Sequence, residues 1–203
     1  MPKKIDVDAR TAEIAAAALR VLQRDGLAGL SVRGVAAEAG IAAASLRRAF
    51  PTQHRLREYC FELIEERVTA RVASLDLTGR ALADALLAQL LPLDEERRME
   101  LLAQVQLGVL SLTDRDLRPA ASRLNAAVHR ACRVAIDILA DAGQFDSSRD
   151  PEYEAQRLRA VLDGIAMQGL WAGDLNGSRR MLGLLGRHLD ELTRPELSRG
   201  SND

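Results

Sequence analysis

An all-α fold is predicted by three features of the sequence: its composition, the spacing of its apolar residues, and the positions of its helix-breaking residues. Apolar residues make up 47% of the chain but aromatic residues only 3%, and alanine and leucine dominate. Unbranched side chains lose little rotamer freedom in a helix, whereas strands favour β-branched and aromatic residues. Apolar residues recur three and four positions apart between glycines, prolines and capping residues, which predicts a series of amphipathic helices.

The N-terminal part predicts three helices in close succession. A helix over about residues 8–25 is indicated by the apolar positions Ile14, Ala17, Ala18, Val21 and Leu22. Gly26 is placed to end it, since glycine readily adopts the left-handed conformation that follows many helices. Ser31 is a good N-cap for a helix over 32–39, and Gly40 separates that helix from another over 41–49.

The rest of the chain predicts six further helices. Pro51 ends the third helix and Thr52 can cap the fourth. The expected spans are 53–75, 80–91, 94–113, 118–142, 151–172 and 178–192. We therefore expect a helix-turn-helix domain at 1–52, a connecting helix at 53–77, and a ligand-binding and dimerisation domain at 78–203 that ends in a disordered tail.

Charge is unevenly distributed along the chain. Residues 1–60 hold ten Lys or Arg and six Asp or Glu, a net charge of +4, although the whole chain has a net charge of -1. A basic head on an acidic body suits a protein that contacts phosphates at one end. Small domains also carry a few charges of either sign without any partner, so this pattern alone decides nothing.

Several classes of site and location are disfavoured by the sequence. Cys60 and Cys132 are the only cysteines, too few for a disulfide scaffold, and the three histidines show no metal-ligand spacing. Phosphate loops, zinc-protease motifs and nucleophile elbows are absent from the sequence. We expect no enzyme activity, catalytic residue, metal or cofactor. Without a secretory segment or a long apolar span, we expect a cytoplasmic protein with no membrane partner.

Two short helices joined by a glycine-marked turn form a helix-turn-helix, whose second helix enters the major groove of DNA. The stretch LSVRGVAAEAGI at residues 30–41, followed by Ser45-Leu46 and Phe50-Pro51-Thr52, resembles the N-terminal domain of the tetracycline-repressor (TetR) family of bacterial transcriptional regulators. The likeness covers about residues 10–60. Residues 158–170 show a weaker resemblance to the closing helices of family members of the betaine-regulator type.

The resemblance implies that the start of the second helix, residues 42–48 and the start of the fourth helix face DNA. The candidate DNA-binding residues are Ser31, Arg33, Ala42, Ala43, Ala44, Ser45, Arg47, Arg48, Thr52, Gln53 and His54. Arg47 and Arg48 carry fork-shaped donors that fit guanine or phosphate, and we expect at least one to read a guanine. The family commonly has lysine and glycine at the positions of Ala43 and Ala44, so the operator half-site does not follow from the resemblance.

The last two helices carry features that favour pairing of two chains. The final helix has a continuous apolar stripe, and glycines in the helix before it could allow close approach of another helix. The candidate interface residues are Gly164, Gly169, Met181, Leu184, Leu185, His188 and Leu192. The alternative is that this stripe completes the core of a single chain.

A small-molecule pocket is predicted between the boundary and the interface, with apolar walls and a few polar groups. The candidate ligand residues are Met99, Leu102, Gln106, Asn125, His129, Gln168 and Trp171, each of which could instead be ordinary core or surface. With so few aromatic residues, an aliphatic or moderately polar ligand is favoured. The predicted function is a homodimeric regulator, a repressor that a small-molecule effector releases from a palindromic operator; the alternative is a helical interaction module regulated by a protein partner.

Overall fold

The structure is a computed structural model that describes residues 7–172 and 177–193, with side chains described from residue 11 onward. In this part of the chain the predicted all-α class is confirmed, with nine α-helices and one short 3-10 turn. The helices are α1 (Val7–Gly29), α2 (Val32–Glu38), α3 (Ala43–Ala49), α4 (Gln53–Ala73), α5 (Gly79–Ala88), α6 (Glu95–Ser111), α7 (Arg118–Asp141), α8 (Pro151–Ala172) and α9 (Gly177–Leu192). The expected disordered tail lies outside the described residues.

Glycines set the ends of two of the first helices, as the sequence predicts. Gly26 has a φ of 66°, and α1 is kinked there, so its regular part ends at the predicted left-handed residue. Gly40 has a φ of 64° in the turn between α2 and α3. Ser31 caps α2, because its hydroxyl oxygen accepts a hydrogen bond from the Gly34 amide at 3.1 Å.

Two compact units can be distinguished. One comprises Met1–Arg71 with Met99–Leu124, and the other comprises Val72–Arg98 with Asn125–Asp203. This division differs from the three segments expected from the sequence, since most of α6 groups with the N-terminal helices. The two units show which residues pack together but not which segments fold on their own, so the predicted domain boundaries stay predictions.

The first unit contains one continuous apolar core that runs from the three N-terminal helices into α4 and α6. Leu22, Leu27, Leu46 and Leu56 are almost fully buried in it. Five residues from later in the chain join the same core: Met99, Ala103, Leu107, Leu117 and Ala120. Helices as short as α2 and α3 are not stable alone, so this packing is what holds them in place.

In the second unit α9 packs against α8 and α5. Arg80 of α5 binds α9: its guanidinium donates a hydrogen bond to the Gly186 carbonyl at 2.8 Å and lies 2.8 Å from a carboxylate oxygen of Asp190. A side chain at Gly169 of α8 would overlap the sulfur of Met181. The missing side chain at residue 169 therefore lets α9 of the same chain approach.

The helix spans agree with the sequence to within a few residues. Apart from the end of α1, which continues past the kink at Gly26 to Gly29, the largest differences are at α5, which ends at Ala88 rather than near residue 91, and at the 3-10 turn Arg115–Leu117, which the sequence does not predict. Asp114 caps that turn by accepting a hydrogen bond from the Asp116 amide at 3.1 Å. Among the described residues, none of the helices has the length and apolar character needed to cross a membrane.

Candidate nucleic-acid interface

Helix α3 turns one face to the core and the other to solvent. Leu46 is buried, whereas Arg47 and Arg48 are exposed and Ser45 is half-buried. Ala42 and Ala44 are exposed, while Ala43 packs against the core. The surface of α3 thus presents two guanidinium groups beside small side chains, which suits close approach to base edges in a major groove.

The described arginines of α1, α2 and α3, together with Arg55 at the start of α4, fall into two groups. Arg20 and Arg24 of α1 both bind the carboxylate of Glu38 on α2, at 2.7 and 2.9 Å. Hydrogen bonds from these two arginines lower the pKa of Glu38 and so favour its ionised form. Arg55 of α4 pairs with Glu58 at 2.7 Å. These three cations are largely offset by carboxylates within the same chain.

The second group is Arg33, Arg47 and Arg48. All three are exposed, and none of their guanidinium groups has a carboxylate partner or hydrogen bond within the part of the chain that the structure describes. Arg33 lies on α2 and the other two on α3, the helices expected to face DNA. Among the described side chains of α1, α2 and α3, the positive charge without a carboxylate partner is therefore concentrated on these three arginines.

Three other candidate DNA-binding residues make contacts within the chain. The Ser31 hydroxyl caps α2, and the Thr52 hydroxyl accepts from the Arg55 amide at 3.2 Å, so both oxygens serve as helix caps. Gln53 is exposed, yet its side-chain amide donates to the Leu30 carbonyl at 2.8 Å. This contact ties the start of α4 to the segment between α1 and α2, and no local pattern in the sequence indicates it.

His54 turns toward its own helix. It is half-buried, and its Nε2 lies 3.3 Å from a carboxylate oxygen of Glu58 one turn later. Its Nδ1 is buried and has no hydrogen-bond partner among the described residues. A phosphate contact by His54 would have to compete with Glu58, and the assignment of this residue to the DNA surface stays a prediction.

The seven candidate ligand residues lie in both compact units. In the first unit Met99 is buried in the core, Leu102 is half-buried, and the side-chain carbonyl of Gln106 accepts from the Leu27 amide at 2.6 Å. In the second unit Asn125 binds Arg159 at 3.0 Å and His129 lies 3.1 Å from Glu152. Gln168 is exposed and Trp171 is 75% exposed. Their assignment to a ligand stays a prediction.

Among the described residues, neither the cysteines nor the possible metal ligands form a second candidate site. Burial raises the pKa of both Cys60 and Cys132 to about 12, so neither is a thiolate at neutral pH. Within residues 11–172 and 177–193, no group of three His, Cys, Asp or Glu side chains is placed to hold a metal ion.

The candidate interface residues of the last two helices differ in exposure. Met181, Leu185, His188 and Leu192 are buried within the second unit, so a single chain already covers them. Gly164 and Leu184 are exposed, and so are two apolar residues that the sequence does not assign to the interface, Trp171 and Leu182. Met181, Leu185 and Leu192 mark the buried side of α9, and the exposed Leu182 and Leu184 lie on either flank of that side.

His188 gives the packing of α8 and α9 a predicted pH dependence. Only 8% of it is exposed, and its Nε2 has no hydrogen-bond partner within the described chain. Burial lowers its pKa from the usual 6.5, and the positive charges of Arg157 and Arg149 act in the same direction, against the carboxylates of Glu191 and Glu154. Folding therefore favours the neutral imidazole.

Below its unfolded pKa, His188 binds a proton more readily in the unfolded chain than in the folded one. The free energy of unfolding should therefore fall as the pH is lowered from about 7.5 to about 5.5. Denaturant unfolding of the wild type and of His188→Gln at both pH values measures this. We expect a smaller pH-dependent loss in the variant, and an equal loss in both proteins would contradict the assignment.

Known proteins similar to this chain are transcription regulators. Residues 14–60 match the model of the bacterial regulatory proteins of the tetR family, and residues 79–194 match the C-terminal model of BetI-type transcriptional repressors. The HTH-type transcriptional regulator PksA of Bacillus subtilis (strain 168) is 30% identical over 173 residues, covering 84% of this chain and 83% of PksA.

Solved structures show the same fold. A transcriptional regulator from Saccharomonospora viridis in complex with choline is 20% identical, with a TM-score of 0.78 over 94% of this chain and 100% of that chain. The multidrug binding protein EbrR complexed with proflavin is 29% identical, with a TM-score of 0.56 over 88% of this chain and 99% of that chain.

Proposed function

Because this chain belongs to the TetR family of transcriptional regulators, we propose that it is a homodimeric repressor that binds a palindromic operator and leaves it when a small molecule binds. Two-fold dimers of helix-turn-helix proteins place their recognition helices in successive major grooves about 34–36 Å apart. Each chain would supply one α3 to one half-site.

The observation that carries this proposal is the distribution of charge in the helix-turn-helix. Arg33, Arg47 and Arg48 are exposed and unpaired within the described residues, while Arg20 and Arg24 are held by Glu38. Cations that a protein leaves uncompensated on one surface attract phosphates, and the guanidinium fork also matches guanine O6 and N7. If the helix-turn-helix domain, residues 1–52, which we call the head, served only for packing, three unpaired arginines on α2 and α3 would have no use.

The dimer part of the proposal is supported by exposed residues of α8 and α9. Trp171 of α8 and Leu182 and Leu184 of α9 are large exposed apolar side chains, and apart from neighbouring backbone of its own helix no described atom lies within 4 Å of where a side chain at Gly164 would begin. Exposed apolar patches with small residues favour a protein interface, and two-fold symmetry lets one surface pair with itself. We propose that these exposed residues, rather than the buried side of α9, contact a second chain.

The effector part of the proposal is supported by what similar proteins bind. One structural neighbour holds choline and another holds proflavin. For this chain we propose a small molecule that is aliphatic or moderately polar, since only 3% of its residues are aromatic. Such a ligand can release DNA only if it binds the two conformational states with different affinity.

Binding of operator DNA should weaken steeply with salt. The operator is first selected from fragments of the source genome, and its affinity is then measured by fluorescence anisotropy at several salt concentrations. If all three unpaired arginines of both heads contact phosphates, the slope of log K against log salt should be about -5. A slope near zero would contradict the proposed function and favour a module that acts through a protein partner.

Arg33→Ala tests the charge argument at a single residue. Because this substitution removes one phosphate-binding cation from each of two heads, the salt slope should become shallower by about 2, with similar weakening on operator and unrelated DNA. Arg20→Ala is the matched control, because Arg20 is already held by Glu38. An equal change of slope in both variants would show that pairing with a carboxylate does not distinguish the arginines that leave DNA free from those that bind it.

A further inference from the structure

Helix α6 is joined to the end of α1 by the side chain of Gln106. Its Oε1 accepts a hydrogen bond from the Leu27 backbone amide at 2.6 Å. Leu27 is fully buried and follows Gly26, whose left-handed backbone with a φ of 66° turns the chain out of α1. Water cannot reach this amide, so Gln106 supplies the acceptor that it would otherwise lack.

Gly26 leaves the space that this contact requires. A Cβ at residue 26 would lie 2.8 Å from Nε2 of Gln106 and 3.0 Å from its Oε1. Any side chain there would push the amide group of Gln106 away from Leu27. Gly26 and Gln106 thus fit each other, and the contact depends on both.

A second polar contact holds α6 to the connecting helix α4. Arg71 and Glu100 form a two-pronged ion pair with distances of 2.9 and 2.6 Å, and Glu100 is only 7% exposed. The paired, directional bonds fix the relative orientation of the two helices. Between the two polar contacts, Ala103 faces the core of the first unit. Helix α6 is therefore attached near the end of α4 and at the end of α1.

From α1 the attachment continues to the DNA-facing helices. Arg20 and Arg24 of α1 bind Glu38 of α2, and α2 packs against α3. A displacement of α1 relative to α6 would therefore carry α2 and α3 with it. Gln106 provides a direct hydrogen bond from α6 to this end of α1.

We infer that Gln106 is a positioning residue for operator binding: it fixes the orientation of the helix-turn-helix against α6, and so sets the operator spacing that the two heads of a dimer accept. This inference rests on the proposed function. It differs from the sequence prediction that Gln106 contacts a ligand, because its effect requires no effector. A misplaced head can still bind one half-site but fits two half-sites at a fixed spacing less well.

The test measures effector-free affinity for three DNAs: the selected operator and two copies whose half-sites are one base pair closer or farther apart. The variant Gln106→Leu removes the acceptor, and Gln106→Glu keeps an oxygen at the same reach. Gln104→Leu makes the same change on α6 at a residue that has no described hydrogen bond to α1. Thermal unfolding of each protein monitors the fold.

For Gln106→Leu we expect an affinity for the natural spacing about tenfold lower and a correspondingly reduced preference over the altered spacings. Gln106→Glu should recover most of that preference, and Gln104→Leu should behave as the wild type. In hydrogen exchange, the Leu27 amide should lose protection in Gln106→Leu alone.

Two results would overturn the inference while leaving the proposed function intact. One is an unchanged spacing preference in Gln106→Leu. The other is an equal loss of affinity for all three DNAs, since uniform weakening indicates a damaged head rather than a displaced one. If the wild type itself binds no operator, the proposed function fails and the inference is overturned with it.

Discussion

The double variant Arg47→Ala/Arg48→Ala is expected to lose at least about a hundredfold in operator affinity. Each bidentate contact of arginine with a guanine contributes about 1–3 kcal/mol, and a dimer would lose such contacts in both half-sites. Both arginines are exposed on α3 and have no described side-chain partner within the chain, so their removal should leave the fold intact. Fluorescence anisotropy at one fixed salt concentration measures the loss, with circular dichroism as the check on folding.

Single substitutions at these positions separate base reading from phosphate binding. If Arg47 or Arg48 reads a guanine, its alanine variant should lose more affinity for the operator than for unrelated DNA, and should tolerate other bases at one position. Arg123→Ala is the matched control, an exposed arginine of α7 that lies outside the DNA-facing helices. Equal weakening on every sequence by both single variants would mean that both residues bind phosphates.

A second large effect is expected from Leu184→Asp at an exposed position of α9. Leu184 is 39% exposed in the single chain, and its burial by a second chain would take a new carboxylate out of water without a partner. Sedimentation should show a shift from a dimer to a chain of 22.1 kDa. Operator affinity should fall about a hundredfold or more, because two linked heads bind with a high effective concentration that a single head lacks.

Leu77→Asp provides the control for surface charge. Leu77 is 43% exposed, similar to Leu184, but it lies between α4 and α5. We expect this variant to remain dimeric and to bind DNA as the wild type does. A Leu184→Asp protein that remains dimeric would place the interface elsewhere, and a wild type that is monomeric at micromolar concentration would contradict the dimer itself.

Local signals in the sequence are sufficient for most of the fold and for the family. Ser31, Gly26 and Gly40 act through their own backbone or through residues three positions away, so short-range reasoning locates them correctly. The spacing of apolar residues likewise locates the ends of the long helices to within a few residues. The resemblance of residues 10–60 to the TetR family is confirmed by the matching family models.

The sequence is less informative wherever a residue's partner lies far away in the chain. A polar residue in an apolar helix, such as Gln106, suggests a ligand contact, but the partner of Gln106 in the structure is 79 residues earlier. The stripe on α9 shows that the helix has an apolar face without showing what covers it. Periodicity gives the direction of a face, and only the packed chain shows that Met181 and Leu185 are covered by the same chain.

The shared core of the first unit limits how freely this protein could be recombined with its relatives. The two family models meet between residues 60 and 79, yet Met99, Ala103 and Leu107, which lie beyond that junction, pack in the same core as α1 and α4. A hybrid joined at that junction would combine the head of one regulator with core residues chosen for the head of another. Transferring the N-terminal helices to another regulator therefore requires transferring their supporting side chains on α6 as well. The segment that must be exchanged is larger than the segment that the N-terminal family model covers.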